Sequence, residues 1–399
     1  MTDIHPFLSF NIAVILLLVG KAATLRSPFL QRYSIPEPVI GGVLCAAAVA
    51  IVDAAAGWQV RFNLNVRDFL LLLFFAGVGL NSDLATLARG GKPLVILLGL
   101  ATGFIVAQNF LGISVAALFG LEPLAGLMAG SVSLTGGVGT TAAWAPIFTE
   151  QLGIANAMEL GVASNMIGLI AACVIGGPIA AWLMRHHRIR PSRDHDLDMG
   201  IAHAAQAARL DYIGLLWAIL TLNVTVMVGI GVDALVSLSG LTLPTFVSCL
   251  IAGIALRNFV GRLLAVNGPR GRENIDQGLS LLSDLALGLF LTMTLMGLQL
   301  WQLSGAFVFI AVVLVLQIGM TVLFAMFVVF RAMGGDYEAA VISAGFGGIT
   351  LGSTATAIAN MTAVTQQYGA AHKAFIIVPI VCGFFIDIVN ALIIATFTS

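Results

Sequence analysis

The chain has 399 residues, 59% of them hydrophobic and only 9% charged, with a formal net charge of −1 and a mean hydropathy of +1.03. A soluble domain carries about 25% charged residues, so this composition excludes a water-solvated globule, and the near-zero charge offers no surface to a nucleic acid. Apolar runs of about 20 residues recur, each long enough to cross the hydrocarbon core as a helix; a β-barrel would show short alternating segments instead.

The expected fold is therefore an all-α polytopic membrane protein. The first ten residues, MTDIHPFLSF, carry no basic n-region and lead into further apolar runs, so no secretory signal is expected. In the first half, spans are predicted over residues 7–25, 36–56, 69–80, 93–119 and 156–184. In the second half they fall over 213–236, 244–264, 279–298, 307–330 and 374–397. Between the fourth and fifth span of each half lies a region rich in Gly, Ser and Thr, 121–151 and 337–367, and neither reads as a lipid-facing helix. The polar stretch 185–211 separates an N-terminal repeat, 1–184, from a C-terminal repeat, 212–399. Cys45, Cys173, Cys249 and Cys382 all sit inside apolar runs and read as small buried side chains rather than disulfides or metal ligands.

Charge placement fits this layout. With the N-terminus outside, 16 of the 18 basic residues become cytoplasmic, leaving only Arg61 and Arg67 outside. Both termini are then expected in the periplasm and the 185–211 linker in the cytoplasm. Five crossings per half is an odd number, so the second half enters the membrane inverted. The halves also match in sequence: Phe74–Leu87 parallels Thr292–Gly305, and Ala129–Ala143 parallels Ala344–Ala357. Inverted repeats with interrupted helices at corresponding positions point to a secondary transporter.

Irregular backbone at membrane depth survives only where protein buries it or where it lines a watery cavity. Two re-entrant hairpins meet that condition, with tips at Thr135–Gly139 (TGGVG) and Gly347–Thr354 (GGITLGST). Glycine permits positive φ and close approach of other groups, and helix ends at a tip present free N–H groups to an anion or carbonyls to a cation. The candidate ligands are the tip glycines Gly136, Gly137 and Gly139 and the hydroxyls of Ser131, Ser133, Thr135, Thr140, Thr141, Thr350, Ser353, Thr354 and Thr356. Tight packing through small residues uses the same residue types.

At these motifs the chain resembles the bacterial sodium/glutamate symporters. The resemblance rests on Tyr33–Gly42 (YSIPEPVIGG), Gly136–Trp144 (GGVGTTAAW), Ser353–Met361 (STATAIANM) and Phe384–Ile393 (FFIDIVNALI), spread over both halves. It implies two inverted five-span repeats, each with a re-entrant loop, and a transport domain moving against a dimerising scaffold in the inner membrane. It also implies L-glutamate as substrate, Na+ as coupling ion and a homodimer in the lipid bilayer. Val138 and Thr141 in the first motif, and the sparser glycines of Gly347–Gly352, depart from the family pattern and bear on substrate preference.

Asp387 falls near the middle of the last span, where a carboxylate costs roughly 2.5–3.5 kcal/mol unless a partner or water is present. Asn390 follows three residues later on the same helix face. With Thr350 and Gly352 of the second loop they would make an oxygen-only sodium site, as suits a hard cation; a protonated Asp387 bonded to a neighbouring helix is the other reading. Asn360 would add a substrate or sodium contact, and Asn165 a similar one, with interhelical hydrogen bonding the alternative for both. Glu159 is expected at an interface, Glu37 at a kinked helix start between two prolines, and Asp284 in solvent. The six histidines all lie at ends or in loops, which excludes a haem-bearing bundle. A channel filter repeats around a symmetric pore, unlike two dissimilar loops. No nucleotide-binding loop or metal-binding His/Cys set suggests an enzyme.

Overall fold

The computed structural model describes residues 2–32, 36–56, 60–81, 84–189, 212–237, 244–260, 268–297 and 306–398. The first half supplies α1 (Pro6–Arg26), the short α2 (Pro28–Arg32), α3 (Glu37–Ala56), α4 (Asn65–Asn81), α5 (Leu84–Leu118), the short α6 (Ala125–Met128), α7 (Gly137–Glu150) and α8 (Ala157–His186). The second half supplies α9 (Tyr212–Ser237), α10 (Thr245–Ala255), α11 (Gly268–Met296), α12 (Phe307–Phe324), α13 (Phe330–Ala332), α14 (Tyr337–Leu351), α15 (Thr354–Tyr368), α16 (His372–Ile380) and α17 (Ile386–Thr398). Single π-helical turns extend α10, join α12 to α13 and join α16 to α17. Most of the 185–211 linker, from 190 onward, lies outside the described residues, as do the last residues of the spans expected to end at 264 and 298.

Among the described residues six helices are long and apolar enough to cross a bilayer, and a seventh span forms if the α16–α17 pair, bent by 41°, is counted as one. Shorter apolar helices cover Glu37–Val52 and Thr245–Phe259. The α5 helix breaks at Gly91 (φ 62°, ψ −161°), so its apolar span starts there, two residues before the expected 93. One boundary differs more from the sequence expectation. In α11 the helix starts eleven residues before the expected 279, at Gly268, because its polar first turns are held from outside: Arg257 donates to Asp276 at 2.7 Å. The all-α expectation also needs one amendment. A short parallel pair, β1 (Thr2–Ile4) and β2 (Val60–Phe62), ties the start of the chain to the segment before α4.

Lipid is as apolar as a leucine side chain, so helices in it associate by close packing rather than by hydrophobic burial. Large apolar side chains such as Leu18, Val315 and Leu323 accordingly stay exposed. The crossing of α4 and α10 shows how small residues allow the contact. A Cβ on Gly79 would stand 2.3 Å from the Leu250 carbonyl oxygen, and one on Gly253 would stand 2.6 Å from that of Ala76.

The principal helix contacts sort into two groups. In one, α4 packs on α10 and α11, α3 on α1 and α11, and α9 on α10 and α11. In the other, α8 packs on α7, α14 and α15, α5 on α6, α12 and α17, and α16 on α14 and α15. The first three long helices of each half thus share one group, and the glycine-rich segments with their flanking spans form the other. The groups meet where α7 contacts α11 and where Trp144 lies edge-on to Phe246, ring centroids 5.6 Å apart.

Candidate functional site

After α5 the chain turns back through Gly120 (φ 69°), makes the single turn of α6, and runs irregularly from 129 to 136 before α7 begins. Every residue from Ala125 to Thr135 is buried. Buried backbone must find partners, and this loop finds them in two ways. Internally, Leu134 N donates to Gly130 O at 3.0 Å, Gly136 N to Ser131 O at 2.9 Å, and Gly137 N to Ser133 O at 3.0 Å. Externally, three asparagines from three helices clamp it. Ser131 N donates to Asn109 Oδ1 of α5 at 3.0 Å, Asn165 Nδ2 of α8 donates to Ser133 O at 2.8 Å, and Asn390 Nδ2 of α17 donates to Ser131 O at 3.0 Å. Gly137 takes φ +72°, a conformation side chains rarely adopt, and α7 starts there.

The second loop is tighter. The α14 helix ends at Leu351, Gly352 carries the chain across, and Ser353 caps α15, its Oγ accepting from Thr356 N at 3.3 Å. The two arms lie so close that a Cβ on Gly348 would stand 2.4 Å from Ala357 Cα. Asn360 Nδ2 fastens the second arm, donating to Ala172 O of α8 at 3.0 Å and to Ala344 O of α14 at 3.3 Å.

Two glutamines join the loops. Gln108 Nε2 donates to the Thr350 carbonyl at 3.0 Å, while Gln108 Oε1 accepts from Thr135 Oγ1 at 2.7 Å. Thr135 Oγ1 also lies 3.4 Å from the same carbonyl. Gln317 Nε2 of α12 donates to Gln108 O at 2.8 Å. In the sequence Gln108, Asn109 and Gln317 look like single amides within apolar spans, and the one sequence signal for the pair is that Gln108 and Gln317 are 209 residues apart, close to the offset between the paired motifs.

Of the expected site residues, the structure joins Thr135 to Thr350 directly, and Ser131 to Asn390 and Ser133 to Asn165 through backbone carbonyls. Ser131, Ser133, Thr135, Thr140, Thr141, Thr350, Gly352, Asn360 and Asn390 are buried, whereas Gly136, Gly137, Gly139, Ser353, Thr354 and Asp387 keep partial access. Thr141 Oγ1 donates back to Gly137 O at 2.9 Å, steadying the first turn of α7. Among the described residues Asp387 forms no hydrogen bond or ion pair, and no hydrogen bond links Thr350 or Gly352 to Asp387 or Asn390. Gly352 instead packs toward Ala172 of α8. Glu159 is buried near the start of α8, Glu37 pairs with Lys21 at the start of α3, and Asp284 is exposed. Among the described residues no three His, Cys, Asp or Glu side chains gather into a metal cluster.

An apolar helical bundle interrupted by two polar, glycine-rich segments held by buried amides has the architecture of a multi-pass secondary transporter. The family model described as sodium/glutamate symporter matches residues 3–370. A sodium/glutamate symporter of Escherichia coli (strain K12) is 41% identical over 384 residues, covering 96% of this chain and 94% of the relative. One of Shigella flexneri matches equally, and one of Haemophilus influenzae is 38% identical over 95% of this chain and 94% of its own length. The chain belongs to the sodium/glutamate symporter family, and so is a transporter rather than an enzyme.

Proposed function

We propose that this protein is a symporter that imports L-glutamate with Na+ across the inner membrane by alternating access. The family assignment supplies the substrate and ion, and one structural observation carries the mechanism: the starts of α7 and α15 keep partial access inside an otherwise buried centre. Gly136, Gly137 and Gly139 lie at the first, Ser353 and Thr354 at the second. A helix N-terminus presents a partial positive charge to a carboxylate, and this attraction does not need the amides of Gly136 and Gly137, which are already paired within the loop. Glutamate has two carboxylates, and two such termini with the hydroxyls of Thr140 and Thr354 suit it without a buried arginine. Thr135, Thr141 and Asn360 then shape the site from behind.

Asp387, Asn390, Thr350 and Gly352 are proposed to serve the coupling ion, Asp387 supplying the one formal charge. The separation of α1, α3, α4, α9, α10 and α11 from the remaining helices supports an elevator-like movement, with the second group as the transport body. It also supports two inverted repeats, because corresponding helices of the halves fall in the same group. We assign both termini to the periplasm and expect a homodimer.

The test is uptake of labelled L-glutamate into proteoliposomes under an inward sodium gradient and under potassium. Accumulation with sodium alone, abolished in Asp387→Asn, is the expected result. Excess unlabelled succinate or 2-oxoglutarate competing better than glutamate would reassign the substrate, and equal uptake in potassium would remove sodium as the coupling ion.

A further inference from the structure

The three asparagines that clamp the first loop each use only half of their amide. Because Asn165 and Asn390 meet backbone carbonyls, the atom each uses is fixed as the N–H donor, and the atom left over is an oxygen. Asn165 Oδ1 and Asn390 Oδ1 have no hydrogen-bond partner in the protein, and neither do Ser131 Oγ and Ser133 Oγ of the same loop. All four residues are at most 1% exposed. Buried polar atoms are almost always bonded, and several orphans around one three-residue segment call for a ligand. Asn109 differs: its Oδ1 is engaged by Ser131 N, so its orphan is the donor Nδ2, which cannot ligate a cation.

We propose that Ser131 Oγ, Ser133 Oγ, Asn165 Oδ1 and Asn390 Oδ1 hold a sodium ion behind the first loop, apart from the accessible helix starts that take glutamate. The inference rests on the sodium-coupled reading above, moves Ser131 and Ser133 from the substrate to the ion, and replaces Thr350 and Gly352 in the ion's ligand set, the Thr350 carbonyl being taken by Gln108 and its hydroxyl by Phe346 O. Four neutral oxygens suit a hard monovalent cation; a divalent ion would demand carboxylates in the set. Asp387, three residues before Asn390 on α17, places a negative charge on the same helix face. The four residues are fully enclosed, while the next turn of chain, Gly136 and Gly137, keeps partial access. The ion would also act on the transport geometry. It would lock α8 and α17 onto the loop whose continuation, α7, forms half of the glutamate site, so sodium would order that site before substrate arrives.

The clean variant is Ser131→Ala with Ser133→Ala, since neither hydroxyl makes a hydrogen bond in the fold. The purified full-length protein is melted across a NaCl series at ionic strength held constant with KCl. Wild type is expected to gain stability with sodium. The double variant should melt in KCl at or above the wild-type temperature and need at least about 10-fold more sodium for the same gain. In proteoliposomes its sodium midpoint for uptake should rise by a similar factor, with the glutamate KM at saturating sodium within about twofold of wild type. A double variant that folds and keeps the wild-type sodium midpoint overturns the site. So does a raised glutamate KM at saturating sodium with the midpoint unmoved, which would return the hydroxyls to the substrate. If the double variant melts early in KCl, Ser133→Cys replaces it; its soft sulfur should raise the sodium midpoint, and an unmoved midpoint overturns the proposal. Wild type without any sodium response would sink the coupling reading itself, a result distinct from failure of the site alone.

Discussion

At the scale of single residues, the joint between the two loops is an amide ladder whose rungs differ in weight. Gln108 spends both ends of its side chain, on Thr350 O and on Thr135 Oγ1, whereas Gln317 makes one bond and its Oε1 has no partner. The carbonyl that Gln317 reaches, that of Gln108, lies inside α5 and keeps its helical partner. Gln108→Leu should therefore cost about 1–2 kcal/mol and Gln317→Leu about half of that, at the level measured for interhelical hydrogen bonds in membranes. Melting temperatures in detergent would rank them, and equal losses would refute the ladder. Gly176→Ala is a second test, because the added Cβ would stand 2.4 Å from Asn360 Cγ. Asn360 would have to leave Ala172 O, and uptake should fall more than stability does. The hydroxyls and glycines of the loops were legible in the sequence because such residues are out of place at membrane depth. Gln108, Asn109 and Gln317 were not, because a single amide in an apolar helix is common interhelical glue and its partner lies over 200 residues away in two of the three cases.

Secondary-structure elements divide along the same line between local and distant causes. Long apolar runs announce α1, α8, α9 and α12 by themselves, since an unbroken apolar run of about 20 residues crosses a bilayer as a helix. The early start of α11 depends on Asp276 meeting Arg257 of another segment, and the β1–β2 pair depends on two segments more than fifty residues apart, so neither is written in a local pattern. The start of α16 shows how such distant partners hold the second loop's base. Glu338, in the first turn of α14, accepts from Lys373 N at 3.2 Å and from Ala374 N at 2.9 Å, capping another helix across 35 residues. Glu338→Ala leaves those N–H groups uncapped and removes a negative charge from a helix N-terminus, at a cost of about 1 kcal/mol. Glu338→Gln keeps an acceptor and should lose roughly half of that. A melting series of the three proteins checks the order; a glutamine variant as weak as alanine would show that charge, not the bonds, matters.

The whole molecule turns on the seam between the two helix groups. Within each group, contacts run through backbone-close glycines and buried amides, which resist sliding; across the seam they run through α7 on α11, α10 on α17, and Trp144 on Phe246, where apolar side chains meet. Apolar surfaces without hydrogen bonds to break can exchange partners at low cost, so movement of one group against the other should occur here. Gly139 of α7 is a suitable probe, since a Cβ there would lie 3.5 Å from Leu287 Cδ1 of α11. In a background lacking Cys45, Cys173, Cys249 and Cys382, cysteines at 139 and 287 are bridged by a short bis-methanethiosulfonate, each thiolate displacing a methanesulfinate to form a disulfide. Because Gly139 lies at the proposed glutamate site, uptake is compared with the unbridged double-cysteine protein; it should fall to background on bridging and return to the unbridged level on reduction. The control pair joins helices of one group: a Cβ on Gly288 of α11 lies 3.2 Å from Leu17 Cδ2 of α1. Cross-linking cysteines placed at 17 and 288 should leave uptake intact, because those helices are expected to keep their contact through the cycle. Inhibition by both bridges would mean that the first group itself deforms during transport. Inhibition by neither would mean that α7 and α11 stay together and that access alternates through the two loops alone.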